Sequence, residues 1–385
     1  MILLDDGPEG RPALFRDARR IVTAWTPEAV APALATLEQA RRQGAWVAGW
    51  IGYEAGLALE PRLAPLIHCP TDEPLLAFGL YDGPQDATTL IAETEAQADA
   101  VELLVFRSLV SRAEYGAAFA RLAAYIEQGD CYQVNLTFPL RGRLRRGSAL
   151  GLYGWLARRQ RVGHGGLVDL GPGAQAGPVL LSRSPELFFR LDADGRIETR
   201  PMKGTAPRDP DPARDAALAS ALRADEKTRA ENLMIVDLLR NDIARISRPG
   251  SVRVPELFHV QALSTLHQMT SRVVGQLAEP ARLDGLMRAL FPCGSVTGAP
   301  KIRAMQIIAE LEPHPRGAYC GALGWMDPQG RAAFNVAIRT LRLFPDGRLM
   351  MNVGGGVVHD STAQGEWEEA LWKTRFVGPN LVDPG

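Results

Sequence analysis

The chain has 385 residues, 46% of them hydrophobic and 23% charged, which are proportions of a folded protein that buries one large core or two lobes. Its formal net charge of −1 provides no overall field to attract nucleic acid or an anionic membrane, so we expect neither as a partner. No segment approaches the roughly 20 consecutive apolar residues that cross a bilayer, and the N-terminus lacks the pattern of a signal peptide, so we expect a cytoplasmic protein.

The first hundred residues contain a predicted helix followed by a predicted strand. Residues 26–44 indicate the helix, because apolar residues recur at helical spacing: Val30, Leu34, Leu37 and Ala40. Residues 45–51 are mostly apolar and indicate a buried strand. The composition becomes polar and alanine-rich at residues 93–99, so we predict a boundary near residue 100.

A second helix and strand follow this boundary. The helix begins near Ser111 and carries one apolar stripe, made of Tyr115, Phe119, Leu122 and Ile126. Residues 131–137 alternate as a strand does, which places three polar residues on one face: Gln133, Asn135 and Thr137. Such a face either is exposed to solvent, as is usual in antiparallel sheets, or lines a cavity. The basic tract at residues 141–146 predicts a solvated turn.

Residues 182–205 predict a β-hairpin whose turn is formed by residues 192–195. If Leu191 faces Arg196, four residues share one face of the hairpin: Ser184, Glu186, Pro201 and Lys203. Diagonal neighbours on such a face lie about 7–8 Å apart, so the carboxyl group of Glu186 and the amine of Lys203 reach the same small substrate. This pair indicates acid catalysis combined with nucleophilic attack, although an ordinary surface ion pair has the same pattern.

A long helix and a glycine-containing loop follow. Residues 225–247 predict the helix, with apolar positions at Leu233, Val236, Leu239, Ile243 and Ile246 and with an unusually large number of polar residues on the other faces. In the loop at residues 291–301, two glycines are separated by three residues instead of the four of a phosphate loop, so we reject nucleotide binding. The helix that starts after this loop can still bind a carboxylate at its N-terminus.

The last third of the chain has the densest set of candidate binding residues. Residues 333–343 predict a strand that carries Asn335, Arg339 and Arg342, and residues 349–358 predict a strand broken by three consecutive glycines. A final helix after residue 362 places Glu366, Glu369 and Lys373 on one face. This face fits either a metal and anion site or a solvated surface, and Mg²⁺ prefers carboxylate oxygens of this kind.

Several segments together resemble the chorismate-utilising enzymes. The segments are residues 129–136, 184–186, 200–205, 229–242, 294–301, 338–340 and 354–369, with weaker similarity at LLDD and GWIGYEA near the N-terminus. The resemblance implies an α+β fold in which large antiparallel sheets pack face to face and are flanked by helices. It also implies that residues 1–100 contribute to this sandwich and that residues 101–385 form the chorismate-binding catalytic domain.

The family's site residues, transferred onto matching positions, imply roles in this chain. Mg²⁺ is implied at Glu231 and Glu369, with Glu366 adjacent. Glu186 is implied as the general acid that protonates the departing C4 hydroxyl of chorismate, with Thr205 near that hydroxyl. The substrate's carboxylates are implied to meet side chains and backbone amides at Tyr319, Arg339, Gly354, Gly355, Gly356 and Lys373.

Two positions distinguish branches of the family. Members that add water carry a lysine base where this chain has Gln133, and an amide cannot take a proton from water at neutral pH. Anthranilate synthases usually have alanine where Lys203 stands, whereas the aminodeoxychorismate branch has a lysine that is implicated in a covalent adduct at ring C2. We therefore expect the chain to convert chorismate and ammonia to 4-amino-4-deoxychorismate for 4-aminobenzoate and folate synthesis. Anthranilate synthesis and a non-catalytic chorismate-binding protein are the alternatives.

The remaining expectations concern a histidine and the source of ammonia. Many relatives have histidine in the slot that Gln268 occupies here, and His267 is shifted by one residue, which reverses its direction on a strand. We predict that His267 is packed or hydrogen-bonded away from the site. None of the four cysteines lies in a Gly-x-Cys-x-Gly nucleophile turn, so we expect ammonia from a separate glutamine amidotransferase subunit or from solution.

Overall fold

The computed structural model describes residues 1–171, 177–262, 266–378 and 382–383. Its strands are β1 Ile2–Leu4, β2 Ala13–Phe15, β3 Arg20–Ala24, β4 Trp46–Ile51, β5 Leu76–Tyr81, β6 Gln85–Asp86, β7 Glu102–Ser108, β8 Gln133–Arg146, β9 Gly166–Val168, β10 Val179–Ser182, β11 Leu187–Leu191, β12 Arg196–Arg200, β13 Met202–Pro207, β14 Arg253–Ala262, β15 Leu266–Gln276, β16 Gly298–Ala299, β17 Ala322–Met326, β18 Ala332–Val336, β19 Thr340–Leu343, β20 Arg348–Val357 and β21 Val382–Asp383.

Helices lie between these strands. In chain order they are α1 Pro27–Arg42, α2 Tyr53–Leu59, α3 Thr88–Gln97, α4 Arg112–Glu127, α5 Ala149–Arg159, α6 Pro212–Ala224, α7 Glu226–Ala244, α8 Leu283–Leu290, α9 Lys301–Leu311 and α10 Ala363–Trp372. Within the described ranges, no helix is long and apolar enough to cross a membrane.

The strands form two large sheets. The first has the order β21-β7-β8-β20-β19-β10-β9-β1-β2-β6, and β16 pairs with β8. The second has the order β13-β15-β12-β11-β18-β17-β4-β5-β3, and β14 pairs with β15. Neighbouring strands are antiparallel apart from the parallel pair of β21 and β7. The predicted α+β class with antiparallel sheets is therefore confirmed.

The first hundred residues supply strands to both sheets. β1, β2 and β6 belong to the first sheet, whereas β3, β4 and β5 belong to the second. Residues from the two sheets meet in shared buried clusters; in one of them Ile2 and Leu180 of the first sheet pack with Trp50 and Leu323 of the second. Burial of such side chains contributes about 1.5–3 kcal/mol each, so it stabilises the contact between the sheets.

Several predicted elements are confirmed. α1 and β4 occupy the predicted positions, and Val30, Leu34 and Leu37 are buried as the apolar spacing indicated. α4 begins at a capping box in which Ser111 and Glu114 exchange hydrogen bonds, so its start is determined by the local sequence.

The predicted hairpin differs from the observed one in register and length. Leu191 pairs with Ile197, one residue further than predicted, because the loop holds three residues and ends at Gly195 in the left-handed conformation, with a φ of 82°. An irregularity restores the predicted register at Leu187, which pairs with Arg200. β12 ends there, and β13 pairs with β15 instead of continuing along β11.

Other predictions were wrong at the level of single elements. Residues 333–343 form β18 and β19, which belong to different sheets, and the glycines at 354–356 lie inside the continuous strand β20. The tract at residues 141–146 is the exposed end of β8 and not a turn. The polar face of β8 at Gln133, Asn135 and Thr137 is buried, so the solvent-exposed alternative is wrong for this face. On α7, Leu233 is exposed and Ile235 takes its place in the core.

Candidate active site

Ionisable side chains from separate elements converge around Lys203. This lysine lies on β13, and four charged groups influence its pKa: Glu231 on α7, Glu186 before β11, and Glu369 and Lys373 at the end of α10. The fold therefore brings together residues that are more than 100 positions apart in the sequence.

The glycines of β20 locate these side chains relative to one strand. A Cβ atom built on Gly356 would lie 2.8 Å from Gln133 Nε2 and 3.2 Å from Lys203 Nζ. A Cβ atom on Gly355 would lie 2.7 Å from Glu366 Oε2 and 3.3 Å from Lys373 Nζ. Because Gly355 and Gly356 have no side chains, polar groups of neighbouring elements can approach the backbone of β20 closely.

Glu186 is buried with an exposed fraction of 4%. Its backbone N–H donates to Ser184 Oγ, and its carbonyl accepts from the N–H of Val336, so the backbone at this position is held on both sides. Burial raises the pKa of its carboxyl group to about 7, against the opposing effects of a hydrogen bond from Ser295 and the charges of Lys203 and Arg339. Glu186 can therefore carry a proton near neutral pH.

The pKa of Lys203 shifts in the opposite direction to that of Glu186. Burial lowers the pKa of its amine, and the charge of Lys373 lowers it further, whereas the nearby carboxylates oppose this change. The chain is held beside Lys203 by Gln268, whose Nε2 donates to the carbonyl of Gly204 at 2.8 Å. A buried amine with a lowered pKa supplies more of the neutral form that attacks carbon.

Gln133 is completely buried, yet neither its Oε1 nor its Nε2 has a hydrogen-bond partner among the described residues. Oε1 of Glu186 is also buried without a partner. A buried polar atom without a partner costs about 1–3 kcal/mol. Both residues face the region around Lys203, so these atoms indicate a polar ligand in this space.

Carboxylates from α7 and α10 form an acidic group beside Lys203. Burial raises the pKa of Glu366, and the charges of Glu369 and Glu231 add to this shift, while its carboxylate accepts a 2.7 Å hydrogen bond from Ser361. Lys373 lies 2.9 Å from Glu369 and donates to the carbonyl of Gly354 at 2.8 Å. Within the described part of the chain, no three acidic, histidine or cysteine side chains are grouped closely enough to hold a metal by themselves.

Arg339 lies where the chain crosses from the second sheet to the first, between β18 and β19. Its φ of 50° is unusual for a residue with a side chain, and such conformations occur mostly where the surrounding structure imposes them. Its guanidinium lies close enough to Glu186 for their charges to interact, and burial lowers the pKa of the arginine. An arginine in this position suits a carboxylate ligand.

The structure gives other neighbours for two of the predicted residues. Thr205 is exposed on β13, opposite Gln268. Tyr319 is buried, and the groups that influence its pKa are Cys320, Arg316 and Glu312, none of which is a predicted site residue.

The adjacent residues His267 and Gln268 lie on opposite faces of β15. Nε2 of His267 lies 2.8 Å from Oδ1 of Asp215 on α6, and the imidazole is buried. Gln268 instead points toward Gly204 beside Lys203. The prediction that His267 is packed and hydrogen-bonded away from the site is confirmed.

Ser295 and Gln268 were not predicted as site residues. Ser295 belongs to the loop at residues 291–301, which the sequence indicated only as a possible carboxylate site, yet it influences the pKa of Glu186. No spacing in the sequence relates these two positions. For Gln268, the sequence did contain a signal, because this residue occupies the position at which many relatives have a histidine.

Comparisons with known proteins agree with this geometry. The chain matches the chorismate binding enzyme family over residues 3–378. It is 40% identical to aminodeoxychorismate synthase component 1 of Klebsiella aerogenes, covering 86% of this chain and 75% of that protein. It is 42% identical to the Escherichia coli protein of the same name, covering 71% of this chain but only 58% of that protein.

A solved structure extends the similarity to the whole fold. Anthranilate synthase component I from Streptococcus pneumoniae superposes with a TM-score of 0.78 at 25% identity, covering 94% of this chain and 91% of that protein. The family match spans nearly all of the sequence, and the resemblance stated above is confirmed. The chain therefore belongs to the chorismate binding enzyme family.

Proposed function

We propose that the chain catalyses the amination of chorismate at C4 to give 4-amino-4-deoxychorismate, the activity named for its aminodeoxychorismate synthase relatives, on the route to 4-aminobenzoate and folate. One observation carries this proposal: the amine of Lys203 and the buried carboxyl group of Glu186 lie close enough for their charges to interact. The 40% identity to aminodeoxychorismate synthase component 1 supports the same choice over anthranilate synthesis. A cytoplasmic location remains the prediction of the sequence.

The two groups have complementary tasks in this reaction. The neutral amine of Lys203 attacks ring C2, and the double bonds shift as the C4 hydroxyl leaves. Glu186 gives its proton to that hydroxyl, which departs as water. Ammonia then bonds to C4, the double bonds shift back, and the lysine amine is released from C2. Glu186 must therefore be protonated and Lys203 neutral at the start, as their pKa shifts favour.

The substrate is an anion, and the site contains groups that suit it. Arg339 and Lys373 provide positive charge, and the backbone of Gly355 and Gly356 is open to close approach. The amide of Gln133, which has no hydrogen-bond partner among the residues that the structure describes, offers both a donor and an acceptor beside Lys203. These groups support binding of a carboxylate and of a small neutral nucleophile such as ammonia.

Mg²⁺ is part of the proposal. Glu231 and Glu369 would hold it, with Glu366 adjacent, because these carboxylates interact through their charges and are hard oxygen donors. Mg²⁺ is commonly bound by one or two protein carboxylates together with oxygens of the ligand, so three protein ligands are not required. When bound, the ion would neutralise and orient a substrate carboxylate.

A second subunit completes the proposal. The relatives are named as a component 1, which supports a partner component, and we propose a glutamine amidotransferase that delivers ammonia. Ammonia from solution would replace that subunit in a test with the isolated chain.

The product identifies the activity. Purified protein is incubated with chorismate, Mg²⁺ and an ammonium salt, and the products are separated and identified by mass spectrometry. We expect 4-amino-4-deoxychorismate, which retains the enolpyruvyl group. Fluorescent anthranilate, formed without an added lyase, would show that the chain is an anthranilate synthase instead. Unchanged chorismate would show a binding protein without turnover.

A further inference from the structure

Arg316 is a buried arginine that the mechanism above does not use. It lies between α9 and β17, and its exposed fraction is 1%. Its Nε and Nη2 donate to the carboxylate of Glu312 at 2.8 and 2.7 Å, so the two side chains form a bidentate ion pair. Nη2 also donates to the carbonyl of Asn135 at 2.6 Å, and Nη1 donates to the carbonyl of Val296 at 2.9 Å. The guanidinium therefore joins the end of α9 to β8 and to the loop before α9.

The ion pair of Arg316 and Glu312 lies along an edge of β8 that has no neighbouring strand at this point. Pairing with β16 covers the first two residues of β8, pairing with β7 covers its second half, and no other described strand lies between them on this edge. Here the carbonyl of Asn135 accepts from Arg316, and the N–H of Thr137 donates to Glu312 at 2.8 Å. The ion pair thus supplies the backbone of β8 with the donor and the acceptor that a strand would otherwise supply.

The same stretch of β8 carries a side chain of the candidate site. Asn135 pairs on its other edge with Gly356 of β20. Gln133 lies two residues before Asn135 and therefore on the same face of β8. Its Nε2 would lie 2.8 Å from a Cβ atom built on Gly356, and Lys203 Nζ would lie 3.2 Å from that atom. Arg316 therefore holds β8 from the edge opposite to β20, close to the residue that brings an amide to Lys203.

Arg316 is itself held in place by α2. The carboxylate of Glu54 accepts hydrogen bonds from the backbone N–H groups of Arg316 and Gly317, at 2.7 and 3.0 Å. The guanidinium lies 4.5 Å from the centroid of the Tyr53 ring, which adds a cation–π contact. These contacts fix the arginine from the side away from β8, so its hydrogen bonds to the strand are in place before a substrate arrives.

We propose that Arg316 is a positioning residue, which fixes β8 so that the amide of Gln133 meets the ammonia that attacks C4. This inference deepens the proposed C4 amination and rests on it. Arg316 exchanges no proton and forms no bond with the substrate. A lysine in its place keeps the charge but lacks the planar fork, so it cannot hold Glu312 and both carbonyls at once. Such a change frees the edge of β8 and allows Gln133 to move.

A double-mutant cycle with Gln133 tests this role. At saturating chorismate, Arg316→Lys should lower kcat/KM for ammonia by about tenfold in the otherwise wild-type chain. In a chain that already carries Gln133→Ala, the same change should cost less than about twofold, because the side chain that Arg316 positions is absent. An equal loss in the two backgrounds would overturn the inference, since an arginine that only stabilises the fold acts independently of Gln133.

Arg41 on α1 provides a matched control. It is also buried, and it donates to Glu38 and to the carbonyls of Pro328 and Ala281. Arg41→Lys should make the protein easier to unfold with denaturant, as Arg316→Lys does, but kcat/KM for ammonia should stay within about twofold of its value without the change. A control variant as impaired in kinetics as Arg316→Lys would overturn the inference.

A second variant covers the case in which Arg316→Lys does not fold. Glu312→Gln keeps the arginine and weakens the ion pair, so it should also lower kcat/KM for ammonia, and this loss should again shrink in the Gln133→Ala background. The failures of the two proposals are distinguishable. Wild-type protein that makes anthranilate would overturn the proposed function, and the cycle would still decide the role of Arg316, because it measures the use of ammonia. Wild-type protein without turnover would overturn both.

Discussion

Glu186 and Lys203 must both be uncharged for the proposed chemistry, although an acid and an amine in water are both charged at neutral pH. Burial shifts the pKa of each residue toward the required state, because it disfavours the charged form of either group. Their mutual attraction works against this effect, and in both residues the contribution of burial is the largest. At the scale of the residue, burial is therefore the main cause of both pKa shifts.

Glu186→Gln tests the proton donor. The amide has a similar shape but cannot give a proton, so kcat/KM should fall by about 10²- to 10⁴-fold while chorismate still binds. In the wild type, kcat/KM should decline above a pH of about 7 as Glu186 ionises, and this decline should be absent from the residual activity of the variant. The measurement is a set of pH profiles at constant unprotonated ammonia. Equal profiles for the two proteins would exclude Glu186 as the acid.

At the scale of the element, the alternation of β15 directs two adjacent side chains to opposite faces of the strand. One of them is structural and the other lies beside the site. His267 faces α6 through Asp215, and Gln268 faces the backbone beside Lys203. The alternation of a strand explains why the shifted histidine cannot serve the site.

Matched alanine variants test this division. His267→Ala should lower the free energy of unfolding by about 2 kcal/mol, since a buried, hydrogen-bonded imidazole is removed, with kcat/KM close to the wild type. Gln268→Ala should lower kcat/KM by about tenfold through the position of Lys203. Denaturant unfolding and steady-state kinetics measure the two effects. The account fails here if the histidine variant is the catalytically impaired one.

α7 and α10 together supply the carboxylates of the proposed Mg²⁺ site. Removal of divalent cations with a chelator should abolish turnover, and added Mg²⁺ should restore it. Glu231→Gln should raise the Mg²⁺ concentration that gives half-maximal activity by about tenfold or more, because one of few protein ligands is lost. Glu368, the exposed neighbour of Glu369 on α10, offers the control Glu368→Gln, which should leave this concentration unchanged. Full turnover in the presence of chelator would contradict the proposal.

Local signals in the sequence predicted several elements correctly. The capping box of α4 and the apolar stripe of α1 act over one or two helical turns, so the sequence alone contains them. The sequence left open whether the polar face of β8 is exposed or lines a cavity, because burial of a face depends on which distant segments pack against it. Here Asn135 on this face lies against Cys320, which is 185 residues away in the sequence. Such packing is a tertiary property that alternation does not reveal.

The pairing of Glu186 with Lys203 was predicted for a partly wrong reason. The hairpin does not continue to these residues; β13 turns away and pairs with β15, and Lys203 reaches the site from there. The contacts of Lys203 with Glu231 and with α10 depend on the meeting of distant segments. Only the family resemblance indicated them in advance.

At the scale of the whole molecule, the two sheets place an acid, an amine and a group of carboxylates around one space. β20 of the first sheet contributes the open glycine backbone, and β13 of the second contributes Lys203. Residues 1–100 supply strands to both sheets, so the N-terminal strands stabilise the packing of the sheets. The charged groups with the largest influence on Lys203 come from later segments.

The central claim is that Lys203 and Glu186 act on the same ring, and intact-protein mass spectrometry tests it most directly. Protein mixed with chorismate and Mg²⁺ without ammonia, then quenched rapidly, should gain the mass of chorismate less one water, with the modification on Lys203. Lys203→Ala should show no adduct, and Glu186→Gln should form it about 100-fold more slowly. An unmodified wild-type protein, or an adduct that persists in Lys203→Ala, would contradict the account.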